Sequence, residues 1–180
     1  LLEYPSTPLP ENVTPSSVLS LFNTGPGSVS AYYQEASYGR TSVSADVFGP
    51  FPLSQSFSCS QSSAIRTAAI AAAESTVDFK NYTRIVLVLP GDCGALGTIG
   101  CYTYQSALRG SFTASFSWVW GNFTTSTGLF RCGAVHELGH NLGLMHAGSL
   151  SYGSVPLGAL GDNGTYAEYR DDFSQMGRCY

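Results

Sequence analysis

All three histidines of the chain fall inside the eleven residues HELGHNLGLMH, as His136, His140 and His146. On a helix, side chains four apart lie one turn apart on one face, so His136 and His140 can reach a common ion. Val135, Leu138 and Leu142 fall on the opposite face, which predicts a helix from about Leu129 to Asn141 with that side in the core. Gly143 follows His140 by three residues and can take the positive φ that ends a helix and swings the chain back. His146 then comes within reach as a third ligand. The fold must bury one side of this helix, open the other to a cleft and reverse the chain directly after it.

Three imidazoles are a zinc set that leaves a fourth tetrahedral position for water, the arrangement of catalytic sites rather than closed structural ones. Glu137, beside the first ligand, is placed to take a proton from that water and deliver it to a leaving amine while the metal polarises the scissile carbonyl. HExxH alone is a weak signal. Its extension by a glycine and a third histidine is a strong one, and it predicts one catalytic Zn2+ and a peptide hydrolase. The competing reading is a zinc-bearing but catalytically idle module that uses its cleft to hold a protein or glycoprotein.

The 180 residues suit one domain, and 43% of them are hydrophobic, enough for a core. Only 11% are charged, with one lysine and a net charge of -4, so no phosphate-tracking surface and no nucleic-acid partner is expected. No apolar run approaches the roughly 20 residues of a membrane span, and LLEYPSTPLP lacks the basic and apolar regions of a signal peptide, which implies a soluble, processed protein. Cys59, Cys93, Cys101, Cys132 and Cys179 lack the spacing of a zinc ribbon, so disulfides are the simpler reading and one thiol is left over. Asn12, Asn81, Asn122 and Asn163 each open an Asn-x-Thr glycosylation triplet. Together these favour secretion.

Hydrophobic patterning predicts a short helix over Ser16 to Phe22, a helix from Ser28 to Tyr38 stopped by Gly39, and an alanine-rich helix from Ser62 to Val77. Val43, Ala45 and Val47 alternate with polar residues and predict a strand, while the apolar run Ile85 to Leu89 predicts a strand buried on both faces. Phe112, Phe116, Trp118 and Trp120 alternate with Thr113, Ser115 and Ser117, the pattern of an edge strand. The free backbone edge from Ser115 to Val119 is then expected to take an extended peptide. Gly143 to Tyr180 reads as irregular.

HELGHNLGLMH resembles the metzincin zinc-binding pattern, and Met176 in DDFSQMG sits where the Met-turn methionine beneath the zinc is expected. Within that clan the chain is most similar to the gametolysin family, through SVSAYYQEASYGRTSVSADVFGP, RIVLVLPGDCG, SWVWG and EYRDDFSQMG. The resemblance implies an α/β (α+β) zincin with a twisted mixed sheet, two long helices plus an active-site helix, and a small irregular C-terminal subdomain. It divides a single catalytic domain into an upper part to about residue 143 and a lower part over 144–180, apparently trimmed at both ends. It also implies a secreted endopeptidase acting on matrix or cell-wall glycoproteins, among them proline- and hydroxyproline-rich ones. An adamalysin-like protease would prefer an acidic residue where this chain has Ala147. Some metzincins carry a zinc-ligating tyrosine two residues past the methionine, but Arg178 stands there and Tyr180 lies farther on. Cys179 reads as a disulfide partner rather than a thiol ligand, and a calcium site at Asp171 and Asp172 lacks a recognisable ligand loop.

Overall fold

The computed structural model describes residues 1–121 and 127–177, with side chains described from Cys132 onward in the helix that opens at Thr127. Asn122, Arg178, Cys179 and Tyr180 lie outside the described residues, and the expectations attached to them with it.

Among the described residues four α-helices, α1 (Pro15–Asn23), α2 (Val29–Ala36), α3 (Ser62–Ala73) and α4 (Thr127–Asn141), surround a small mixed sheet. Its central strand β6 (Gly110–Trp120) pairs in parallel with β3 (Arg84–Leu89) from Arg84↔Ser115 to Leu89↔Trp120. β4 (Ala95–Gly97) and then β5 (Tyr102–Ser106) run antiparallel to it. Two short pairs lie outside this sheet: β1 (Leu2–Glu3) with β2 (Phe51–Pro52), and the hairpin β7 (Gly148–Ser151) with β8 (Thr165–Glu168). Among the described residues no helix is long and apolar enough to cross a membrane.

The sheet separates two apolar clusters. On one face Phe112, Phe116, Trp118 and Trp120 pack with Ile65, Ala69, Ile70 and Ala73 of α3. On the other, Val88 and Val119 pack with Val18 and Phe22 of α1, Val29 and Tyr33 of α2, and Ala134, Val135 and Leu138 of α4. The Tyr33 hydroxyl donates to Val135 O at 2.7 Å and locks α2 to α4. Leu142 departs from the expected buried stripe. It stands 51% exposed because α4 has already ended at Asn141.

Two strand expectations need correction. β6 is central, not an edge, and of its small polar residues Ser115 and Ser117 face protein rather than water, while Thr113 is exposed. Ser115 and Ser117 are fully buried, and Ser117 Oγ donates to Asn141 Oδ1 at 3.0 Å. Asn141 in turn donates to Thr98 O and Phe116 O, so the polar face of β6 is hydrogen-bonded to the end of α4. Residues 41–48 form no strand. The Asn23 side chain donates to Ala45 O and accepts from Ala45 N, occupying backbone groups that a ladder would use. Apolar space lined by Val47, Phe48, Ile85 and Leu87 lies between the segment and β3.

Candidate metal centre and active site

α4 places His136, Glu137 and His140 at 9%, 5% and 7% exposure. Burial is achieved from one side, by Val135 and Leu138 packed against the sheet. After Asn141 the chain turns through Gly143 at φ +92, with Gly143 N donating to His140 O and Leu144 N to Gly139 O. A residue with a Cβ would be strained there. His146 is thereby returned over the helix, and the donor nitrogens of the three rings lie within 4.8 Å of one another. The sequence expectation that the three converge is met in this geometry.

The tautomers follow from the partners. His136 Nδ1 lies 2.7 Å from Gln175 O, and His140 Nδ1 lies 2.8 Å from Leu144 O. A carbonyl only accepts, so each Nδ1 carries a proton, and in the neutral ring each Nε2 is then bare. His146 Nδ1 lies 2.7 Å from Glu168 Oε1, which fixes the same tautomer. Bare Nε2 atoms thus converge, those of His140 and His146 only 3.0 Å apart. Two lone pairs at that distance repel unless something electropositive sits between them. A soft-to-borderline cation such as zinc suits three neutral imidazoles, so the residues fit the metal that the motif implies. Burial, helped by the two neighbouring imidazoles and opposed by the hydrogen bond to Gln175 O, pushes the pKa of His136 below its ordinary value, which favours the neutral ring that binds metal. Among the described residues this is the one group of three or more His, Cys, Asp or Glu side chains gathered closely enough for an ion. Asp171, considered above for calcium, instead accepts from Phe173 N in a local turn.

Glu137 lies beneath β4, where burial pushes its carboxyl up to about 7. Gly97 makes room for it: a Cβ there would come within 2.9 Å of Glu137 Oε2 and 2.8 Å of Glu137 O. A carboxyl balanced near neutrality can both accept and return a proton. Met176 is buried below α4, where a Cβ on Gly139 would overlap its sulfur. Its carbonyl accepts from Ala147 N at 2.8 Å, one residue past the third histidine, and Gln175 O holds His136. The turn at 174–177 therefore touches both halves of the histidine cluster.

Two residues at the centre were not singled out from the sequence. Glu168 pairs across the β7–β8 hairpin with Gly148, and so arrives beside His146. Tyr169 follows it, with its hydroxyl 2.7 Å from His146 Nε2 and its ring centroid 3.8 Å from that imidazole. Both stand in the EYRDDFSQMG segment, but nothing in its spacing relative to His146 reveals a hairpin return.

The edge that a substrate could use also differs from the sequence expectation. Ser115 to Val119 is paired with β3 on one side, and Ser117 to Val119 with β4 on the other. The outermost strand on the side of Glu137 is β4.

No curated protein and no solved structure matches the chain. A family model does, the gametolysin peptidase M11 family, over residues 1–178. With nearly the whole length covered and a gathered histidine triad of the kind a metallopeptidase requires, the chain belongs to the gametolysin (M11) peptidase family.

Proposed function

We propose that the chain is a secreted zinc-dependent endopeptidase, and that His136, His140 and His146 hold the ion through their Nε2 atoms. The observation that carries this reading is the convergence of bare Nε2 atoms, each set by an acceptor at its Nδ1. Zinc, when bound, supplies Lewis acidity toward the scissile carbonyl and makes a water easier to deprotonate. Glu137 takes the proton of the attacking water as its oxygen bonds to the carbonyl carbon. The same carboxyl then passes that proton to the departing nitrogen as the C–N bond breaks. Met176 supports the cluster from below without acting on the substrate.

A metzincin arrangement is the finer form of the mixed α/β fold we favour: one catalytic domain, with an upper part to about residue 143 and a lower part from 144 that carries the methionine turn. The peptide would lie extended along the outer edge of β4 by strand addition, across Glu137. Secretion is supported by the Cys59–Cys93 disulfide and by the exposure of Asn12, Asn81 and Asn163 in their glycosylation triplets. Matrix or cell-wall glycoproteins, including proline- and hydroxyproline-rich ones, are the substrate class that the gametolysin resemblance favours.

The test is zinc analysis and digestion of an unstructured protein by the parent and by Glu137→Gln. Both should hold one zinc per chain. The parent should release large internal fragments, and the variant should be slower by about 10²- to 10⁴-fold. A zinc-loaded parent that cleaves nothing would leave a peptide- or glycoprotein-binding module in place of the enzyme.

A further inference from the structure

Tyr169 stands out on backbone grounds before any chemistry is considered. Its φ is +60, in the left-handed region that bulky residues avoid. Tyr38 shares that region at φ 55, but it is 94% exposed at the end of α2, where a left-handed residue closes the helix. Tyr169 closes no helix; it follows β8. In an extended strand, consecutive side chains point to opposite faces. Here Glu168 and Tyr169 grip opposite nitrogens of the same imidazole, Glu168 at Nδ1 and Tyr169 at Nε2 of His146, both at 2.7 Å. The left-handed residue is what turns the second side chain back onto the ring that the first already holds.

A phenol donating to His146 Nε2 uses the lone pair that an ion would need, so the contact cannot persist unchanged once metal binds. Its oxygen, however, already lies on the metal-facing side of the imidazole, and the ring is positioned at 3.8 Å from His146 and nearly parallel to His136 at 6.2 Å. Tyr169 is the only hydroxyl hydrogen-bonded to a histidine Nε2 among the described residues. We infer that Tyr169 is a fourth protein ligand, giving its phenolic oxygen to the metal held by His136, His140 and His146. The phenol proton is released to solvent on metal uptake, as ligand protons generally are. This inference rests on the zinc-site reading above. Expansion to five positions still admits a water.

Copper(II) distinguishes the two ideas, because a phenolate ligand gives it a visible charge-transfer band that imidazoles alone do not. The whole protein, stripped of metal and loaded with copper, should bind one ion per chain and show the band. Tyr169→Phe keeps the ring but lacks the oxygen; it should bind one copper and lose the band. Tyr166→Phe, three residues away, should keep it. A parent that binds one copper without the band overturns the role of Tyr169 and leaves the histidine site standing. A band that survives in Tyr169→Phe has the same meaning. A parent that takes up no copper overturns the metal site and this inference together. The parent spectrum alone can refute the inference even if Tyr169→Phe does not fold.

Discussion

His136, Glu137 and His140 are buried on a helix whose other side is packed into the sheet, whereas His146, Glu168 and Tyr169 stand on a stretch with almost no core. Between residues 142 and 177 the buried side chain is Met176, while Leu157, Leu160 and Phe173 stand 80%, 108% and 103% exposed. The first half of the site is positioned by hydrophobic packing. The second is positioned by polar contacts to the first or within itself, among them Ala147 N to Met176 O, Gln175 O to His136, Leu144 O to His140, and Glu168 and Tyr169 to His146. One half of the centre should therefore exist without metal, and the other should depend on the ion for its order.

The largest effect expected is from His140→Ala. The helix half keeps its packing but offers one ligand fewer, so zinc occupancy and peptide cleavage should both fall to background. Full occupancy by metal analysis would refute the triad. Stripping zinc from the parent sharpens the comparison itself. Amide exchange should accelerate across 144–177 and remain slow in β6 and α4, because the former has little buried apolar surface beyond Met176. Uniform acceleration through both regions would show that the two halves are one cooperative unit. Acidification should release the ion by the same route, since the ligand imidazoles must be neutral to bind.

Glu137 makes the helix half sensitive to pH in the metal-free protein. Its carboxyl holds a proton up to about 7 when folded and releases it near 4.5 when unfolded. Between those values the folded state binds more protons, so this group lowers stability as pH rises, by roughly 3 kcal/mol once pH exceeds both. Relative to the parent, metal-free Glu137→Gln should gain most of that difference between about pH 5 and about pH 8. Denaturant titrations at the two pH values would check it, and a pH-independent difference would mean that the buried carboxyl is not the cause. Glu168→Gln acts on the looped half and more gently. It keeps a hydrogen bond to His146 Nδ1 but loses the charge, so metal affinity should drop about 10- to 100-fold while the fold is unaffected.

The helix half was legible in the sequence because periodicity reports burial. HELGH fixes two histidines and a carboxyl on a helix, and Val135 and Leu138 fix the side that packs. The looped half was legible only at its hinge, Gly143, and its end, Met176. Glu168 and Tyr169 reach His146 through a hairpin whose strands are separated by thirteen residues, and neither hairpin register nor a left-handed tyrosine leaves a periodic trace. In the frame, the helices and the buried strand β3 match the pattern, although α3 ends at Ala73 rather than Val77 and the stretch after Gly143 holds a hairpin; residues 41–48 and β6 depart from it for one reason. Alternation of polar and apolar residues shows which side chains differ in environment, not where backbone groups find partners. Asn23 replaces a ladder at Ala45, and Asn141 replaces water at Ser117.

The smallest effects should come from the exposed apolar side chains of the looped half, and they set the baseline for the comparison. Trp118 is 2% exposed in the aromatic layer between β6 and α3. Truncating it to alanine removes a large buried surface and leaves a cavity, which costs about 3–5 kcal/mol. Leu160 is fully exposed, so Leu160→Ser removes no buried surface and should change stability by no more than about 0.5 kcal/mol in either direction. Paired denaturation curves of the metal-free variants would measure both. The contrast should survive in the zinc-loaded protein, since the ion orders the backbone of the looped half without covering Leu160. A loss above about 1 kcal/mol for Leu160→Ser, well outside the usual range for surface substitutions, would mean that this side chain is covered in solution. The looped half would then have a core of its own and would not depend on the metal for its order.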